Sequence, residues 1–389
     1  MAPYFSTVVS ESAFKARFQA ENAKPFSELE NAAASCWGRP HLLACRVIRR
    51  EPQRTLLPIL SDYISPSDTQ CPSNEIRAYL QGPDLALMGQ SEHYLVRSSD
   101  CPFSVAQIWA AMAMFKGDQE RRTRLPLVPK QQDYNDESDV ETRDPKRRRR
   151  YTFQPGFVDS SGIQIGSSSP LADGSFDGSE VSSLAYVDPD SHYLSMTPED
   201  NTLRLASCVI RHILYFAPPQ DAPIQPVAVE FRDAKTRLSA STWVRERPII
   251  AIDDGGLCLR RQNPDGGFML SNDHVAILEG KTQFHCLEDG RPVISDDSFA
   301  QMICEALATR LSDATGHSEQ SVIIINATQH YMCFLQVDIS DDYLSDFESP
   351  TPTHMLYVNA TPWFDLSQRS GRESVLANIC GIMRRAISE

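Results

Sequence analysis

Apolar residues recur with helix-like or strand-like spacing over two stretches of the chain, 1–117 and 197–389, and the pattern lapses between them. In the first stretch, SESAFKARFQAENA (10–23) and PFSELENAAASCW (25–37) predict two helical pieces divided by Pro25. HLLACRVIRR (41–50) predicts a short strand. FSVAQIWAAMAMFKG (103–117) is apolar on most sides, the pattern of a buried helix. This N-terminal region is expected to be mainly helical, and it carries no catalytic constellation.

The second stretch opens on Thr197-Pro198-Glu199-Asp200: a capping hydroxyl, proline at the first helical position, then two acids facing the helix dipole. The helix so started carries LRLASCVIRHILYF and ends before Pro218-Pro219. Strands are expected at PVAVEF (226–231), RPIIAID (247–253) and HVAILEGKTQF (274–284), with Gly255-Gly256 as a turn after the second. Ser295-Asp296-Asp297 caps a helix bearing FAQMICEALATRL. Strands follow at SVIIINAT, YMCFLQVDI and HMLYVNAT, and GRESVLANICGIMRRAI closes the chain as a helix. The order αβββαβ with additions predicts an α/β domain over 197–389, a mixed central sheet flanked by helices, complete enough to fold alone.

From 118 to 196 aliphatic residues are scarce, acids are frequent, and a Ser/Gly/Asp-rich run follows, SSGIQIGSSSPLADGSFDGSEVSS. Such a composition buries too little apolar surface to offset ordering entropy, so a disordered linker is expected. Inside it, Pro145 precedes five consecutive cations, Lys146, Arg147, Arg148, Arg149 and Arg150. An extended basic run of this kind suits an acidic receptor groove and resembles a monopartite nuclear-localisation signal. It predicts an import receptor as partner and a nuclear location, with a cytoplasmic one as the alternative.

Composition narrows the picture further. The 389 residues carry a net charge of −14, and between 201 and 389 sixteen Lys and Arg face twenty-four Asp and Glu. That balance argues against a chain that coats itself in nucleic acid, because phosphate contacts need clustered cations. No apolar run approaches the ~20 residues that span a bilayer, and the first twenty residues lack an uninterrupted apolar core, so neither membrane insertion nor secretion is expected. The ten cysteines include no C-x-x-C pair, and several sit in apolar runs, which points to buried free thiols. P-loop, G-x-S-x-G and H-E-x-x-H patterns are missing from the sequence.

The residues with most chemical content lie near the strand at 274–284. Alternation puts Glu279 and Lys281 on one face and Gly280 on the other, at the end of the apolar run VAIL. Charges there are costly unless they meet partners or a metal. Upstream, Asp253 and Asp254 end the strand PIIAI, with Asp254 directly before the double glycine. Downstream, Gln301 and Glu305 share one face of the following helix. Surface pairing, turn chemistry and a solvated helix face are the ordinary explanations for each of these residues taken singly.

Taken together, an acid ending one strand, Glu-x-Lys on the next and a Gln-bearing helix make 197–389 resemble the PD-(D/E)XK nuclease-like family. The stretch IDDGGLCLR…HVAILEGKTQF…SDDSFAQMICEALA is similar to nuclease-like domains of predicted fungal proteins. The resemblance implies a restriction-endonuclease-like core and hydrolysis of nucleic-acid phosphodiester bonds, DNA before RNA. It also implies Mg²⁺ (or Mn²⁺) held by Asp254, Glu279 and the Gly280 carbonyl, with Lys281 and Gln301 completing the catalytic set. The family's first-helix glutamate has only Glu199 as a counterpart. A nuclear binding or adaptor protein that keeps the fold without catalysis is the alternative implied function.

Overall fold

The computed structural model describes residues 2–53, 55–64, 73–83, 90–97, 101–116, 199–221, 225–288, 290–312 and 320–388. The basic run 146–150 lies outside these residues, as does the whole of 118–196. After a helical turn at Tyr4–Thr7 the chain forms α1 (Glu11–Ala20), α2 (Arg39–Ala44), β1 (Val47–Arg49), α3 (Asn74–Gln81), α4 (Glu92–Arg97) and α5 (Phe103–Lys116). Beyond 198 come α6 (Glu199–Phe216), β2 (Val227–Arg232), β3 (Arg237–Ser241), β4 (Pro248–Ile252), β5 (Gly256–Gln262) and β6 (Phe268–Lys281). They are followed by β7 (Cys286–Glu288), β8 (Arg291–Val293), α7 (Asp296–Ser312), β9 (Ser321–Thr328) and β10 (Tyr331–Asp338). The chain ends with α8 (Asp341–Asp346), β11 (Leu356–Ala360), β12 (Phe364–Asp365) and α9 (Arg369–Ser388).

The fold is α/β around a mixed sheet of order β1-β11-β10-β9-β6-β5-β2, with β12 paired to β10. Strands β2, β5 and β6 run antiparallel, whereas β6 and β9 are parallel and joined through α7. Strands β9, β10 and β11 alternate in direction, and β1 lies parallel to β11. Ser295 Oγ accepts the Ser298 N–H at 3.2 Å, as a cap should at the start of α7.

Three stretches depart from the sequence expectation. Strand β4, from PIIAI, leaves the main sheet and pairs only with β3. The sheet strand is instead GLCLRRQ, which the glycine pair had hidden. Gly255 turns the chain at φ 135°, and Gly256 is already in the strand, so close to β6 that a Cβ would meet the Ala276 oxygen at 2.3 Å. The segment 25–37 forms two 3₁₀ turns, Phe26–Glu28 and Ala34–Cys36, rather than a helix. The first part of 41–50 is helical because Pro40 fits the first turn of α2, and Arg46 at φ 53° then redirects the chain into β1.

One core lies on each face of the sheet. The first unites Tyr79, Trp109 and Phe115 with the apolar stripe of α6, the inner face of α9, and sheet residues such as Leu278 and Ile325. The second unites Phe14, Trp37, Leu42 and Ile48 with α7, Ile277 and Ile324. The described residues on both sides of 117–198 therefore pack into one compact unit. The division near 197 is a break in composition, not in packing. All described cysteines are free. No described helix is long and apolar enough to cross a membrane.

Candidate functional site

Strand β6 passes from exposed residues at its start to buried ones over its last six, 276–281. Ile277 enters the core under α7, and Ala276 and Leu278 enter the opposite one. The same alternation turns Glu279 and Lys281 toward α7, while Gly280 faces α6, where an added Cβ would strike Leu203 at 2.5 Å. Parallel pairing sets Asn326 beside Glu279 and Thr328 beside Lys281, at the carboxyl ends of β6 and β9. That end of a parallel strand pair commonly hosts ligands.

Here a closed polar cluster forms. Lys281 Nζ lies 2.6 Å from Glu279 Oε1 and donates to Gln301 Oε1 at 2.9 Å. Gln301 Nε2 donates to Glu279 Oε1 at 2.7 Å and to Glu305 Oε1 at 3.1 Å. Asp254 joins from the turn before β5, its Oδ2 accepting the Gly280 N–H at 2.9 Å. The structure thus brings Glu279, Lys281 and Gln301 into direct contact, and Asp254 adjoins them through the Gly280 N–H. All are buried, Glu279 completely.

The two adjacent aspartates have separate tasks. Asp253 accepts two hydrogen bonds from the Arg232 guanidinium, at 3.1 and 2.6 Å, and others from the Thr236 and Gly255 N–H groups. Those bonds tie the turn to β2, while Asp254 bonds the Gly280 N–H and Lys235.

Residues not assigned to the site from sequence also enter it. Lys235 Nζ donates to Asp254 Oδ1 at 2.7 Å and reaches Glu199 Oε1 at 3.5 Å. It sits in the loop between β2 and β3, where no periodic pattern marks it. Glu199 was visible as a helix-start acid and as the counterpart of the family's first-helix glutamate. Glu305 had a signal in its spacing from Gln301, and Asn326 in being the polar member of an otherwise apolar run, VIIINA.

The electrostatics follow from burial. Desolvation raises the Glu279 carboxyl well above the usual range; Lys281 pulls it down, and Asp254 pushes it up again. Glu305 is raised for the same reason, burial first and the Glu279 charge second. Burial would lower the Lys281 ammonium, yet Glu279, Glu305 and Asp254 together hold it above its ordinary value. Three buried carboxyl groups share two ammonium groups, so the cluster is short of positive charge.

Among the described residues, no three His, Cys, Asp or Glu side chains are grouped to hold a metal ion. The donor set therefore reduces to two carboxylates and a main-chain carbonyl. It still fits a hard divalent cation. Glu279 Oε2 is buried without a hydrogen-bond partner, and the ligand atoms of this set are all oxygens.

Comparison with known proteins finds no matching family model, no matching curated protein and no matching solved structure. The cluster's own geometry therefore carries the functional argument. Two surface cavities lie elsewhere, about 520 Å³ beside Asp338 and Tyr357 and about 450 Å³ beside Tyr63 and Arg384. The site end of the sheet is covered more closely: the Lys235 side chain is 38% exposed and the Lys281 side chain 11%.

Proposed function

We propose that this protein is a Mg²⁺- or Mn²⁺-dependent nuclease-like enzyme that hydrolyses phosphodiester bonds of nucleic acid. One observation carries the reading: an acid from the β4–β5 turn, Glu-x-Lys at the end of β6, and a glutamine of α7 meet in one buried cluster. The element order α6-β2-β5-β6-α7-β9, with β6 and β9 parallel, supports a restriction-endonuclease-like core. Asp254, Glu279 and the Gly280 carbonyl would hold the cation, which when bound supplies Lewis acidity toward a phosphoryl oxygen.

The chain's own residues supply the rest. Lys281 offers fixed positive charge to the phosphoryl oxygens as negative charge grows there, in a site where low dielectric strengthens the effect. Gln301 holds that ammonium through its amide oxygen, while its nitrogen donates to Glu279 and Glu305. Lys235 neutralises Asp254 until a cation replaces it. The substrate class is DNA before RNA, and the basic run Lys146–Arg150 supports an import receptor as partner and a nuclear location. Alanines at 146–150 should then leave the protein in the cytoplasm.

The test is cleavage of labelled single- and double-stranded DNA and RNA by the full-length chain with Mg²⁺ or Mn²⁺, wild type against Lys281→Ala. Metal-dependent cleavage lost in the variant supports the reading. A second reading, an adaptor that keeps the fold without catalysis, draws on the burial of Asp254 and Glu279 and on the net charge of −14. Wild-type protein that cleaves nothing under either metal would favour it.

A further inference from the structure

We propose that Glu305 is a positioning residue, anchoring the Gln301 amide so that its oxygen stays presented to Lys281. The inference rests on the phosphodiester reading above. Gln301 is held at three points: its oxygen accepts from Lys281 Nζ at 2.9 Å, and its nitrogen donates to Glu279 Oε1 at 2.7 Å and Glu305 Oε1 at 3.1 Å. Two of those partners are reaction residues on β6. The third stands one turn along α7 from Gln301, on the same rigid helix, and therefore fixes the amide relative to its own backbone. Without it, one buried N–H loses its acceptor, and the amide is free to turn about its last side-chain bond.

Glu305 is otherwise hard to account for. It is fully buried, and the residues around it on α7, from Met302 to Cys304 and from Ala306 to Ala308, are apolar and buried. One of its oxygens has no hydrogen-bond partner. A carboxyl group in such surroundings opposes folding, and an apolar side chain of equal size would be the stabler choice. A residue that weakens the fold while holding a residue of the site is the stability–activity exchange expected of a working centre.

Two substitutions in the full-length protein separate this role from the others. Glu305→Gln keeps an acceptor oxygen for Gln301 without the charge, and Glu305→Met fills the space without an acceptor. If Glu305 positions, Glu305→Gln cleaves within about 3-fold of wild type, whereas Glu305→Met loses about 10- to 100-fold in kcat with KM little changed. The Met variant should also melt at a higher temperature, a result that a merely structural contribution could not give. A direct readout needs no turnover. In selectively ¹⁵N-glutamine-labelled protein, the Gln301 side-chain amide should exchange slowly with solvent in wild type and Glu305→Gln, and faster in Glu305→Met.

Wild-type kcat in Glu305→Met, or exchange unchanged by it, overturns the proposal. Equal loss in both variants overturns it too, because Glu305 would then act through its charge as a base or ligand. Wild type that cleaves no substrate refutes the nuclease reading alone; the exchange comparison then decides whether Glu305 anchors Gln301.

Discussion

Two carboxylate clusters lie at opposite ends of the sheet and have opposite characters. At the amino end of β9, Asp346 accepts from the Thr353 N–H and hydroxyl, from the His354 N–H at 3.0 Å and from His354 Nδ1 at 3.2 Å, with Arg46 at 3.7 Å. Burial alone would raise its carboxyl, but these donors hold it at about 2. At the carboxyl end, Glu279 and Glu305 are more deeply buried, each has an unpartnered oxygen, and both are raised. The contrast separates two uses of an acid. A carboxylate that accepts several hydrogen bonds, as Asp346 does at Oδ2, pins the loop around it. One left short of donors retains the capacity to take a cation or a reacting group, and the fold is weaker for it.

The widest separation between the two clusters should appear in catalysis. Lys281→Ala and Glu279→Ala should each lower metal-dependent cleavage by about 10²- to 10³-fold, measured by single-turnover kinetics. Asp346→Ala should leave the chemical step within about 2-fold, since nothing it binds reaches β6. Loss of cleavage in Asp346→Ala would remove the distinction.

Stability should invert the order. Asp346→Ala removes four hydrogen-bond acceptances and the charged partner of Arg46, and should destabilise by about 1–3 kcal/mol in denaturant unfolding. Glu279→Gln, which removes a buried and undercompensated charge, should be neutral or stabilising without metal. A Glu279→Gln variant markedly less stable than wild type would show that the ion pair with Lys281 dominates.

The pH dependence has opposite signs at the two ends. A carboxyl raised by folding stabilises below its unfolded value of about 4.3, and that contribution is lost as pH rises through its folded value. Wild type should therefore lose stability relative to Glu279→Gln as pH rises. A carboxyl depressed by folding contributes above about 3.9 and loses that contribution as pH falls through its folded value. Asp346→Asn should accordingly be less sensitive to acid than wild type down to about pH 2. Thermal melts across pH 2–9 check both, and parallel curves for all three proteins would contradict the assignment. The smallest effect concerns Lys235. Removing an ammonium that a cation must displace from Asp254 should tighten Mg²⁺ binding a few-fold in Lys235→Ala, read as a lower midpoint when Mg²⁺ is titrated against melting temperature. Weaker binding would mean that Lys235 organises the site instead of occupying it.

Much of this was legible in the sequence because it rests on local rules. Strand alternation alone put Glu279 and Lys281 on one face, and the i,i+4 spacing put Gln301 and Glu305 on another. The cap at Ser295 located the start of α7. What escaped depends on contacts distant in sequence. Strand β5 was hidden because Gly255-Gly256 reads as a turn, and only close approach to β6 explains why the second glycine lies within a strand. The separate uses of Asp253 and Asp254 required the position of Arg232, and Lys235 required that of Asp254. The N-terminal stretch looked like a region apart because the chain between it and α6 changes composition. Yet Leu42, Ile48, Trp109 and Phe115 complete both cores, so a fragment beginning at 197 lacks part of each.

Strand β1 has a consequence for how the molecule is made. Its partner, β11, leaves the ribosome roughly 300 residues later, which at about 5–20 residues per second is on the order of 15 to 60 seconds. Through that interval Val47, Ile48 and Arg49 lack the β11 edge to join, and the apolar side chains of α2 lack most of the core they share with them. Strand β1 precedes every other described strand in the chain, yet its partner is among the last of them to be made. Such an order of events delays completion of the sheet until β11 has been made, because long-range pairing must wait for both partners.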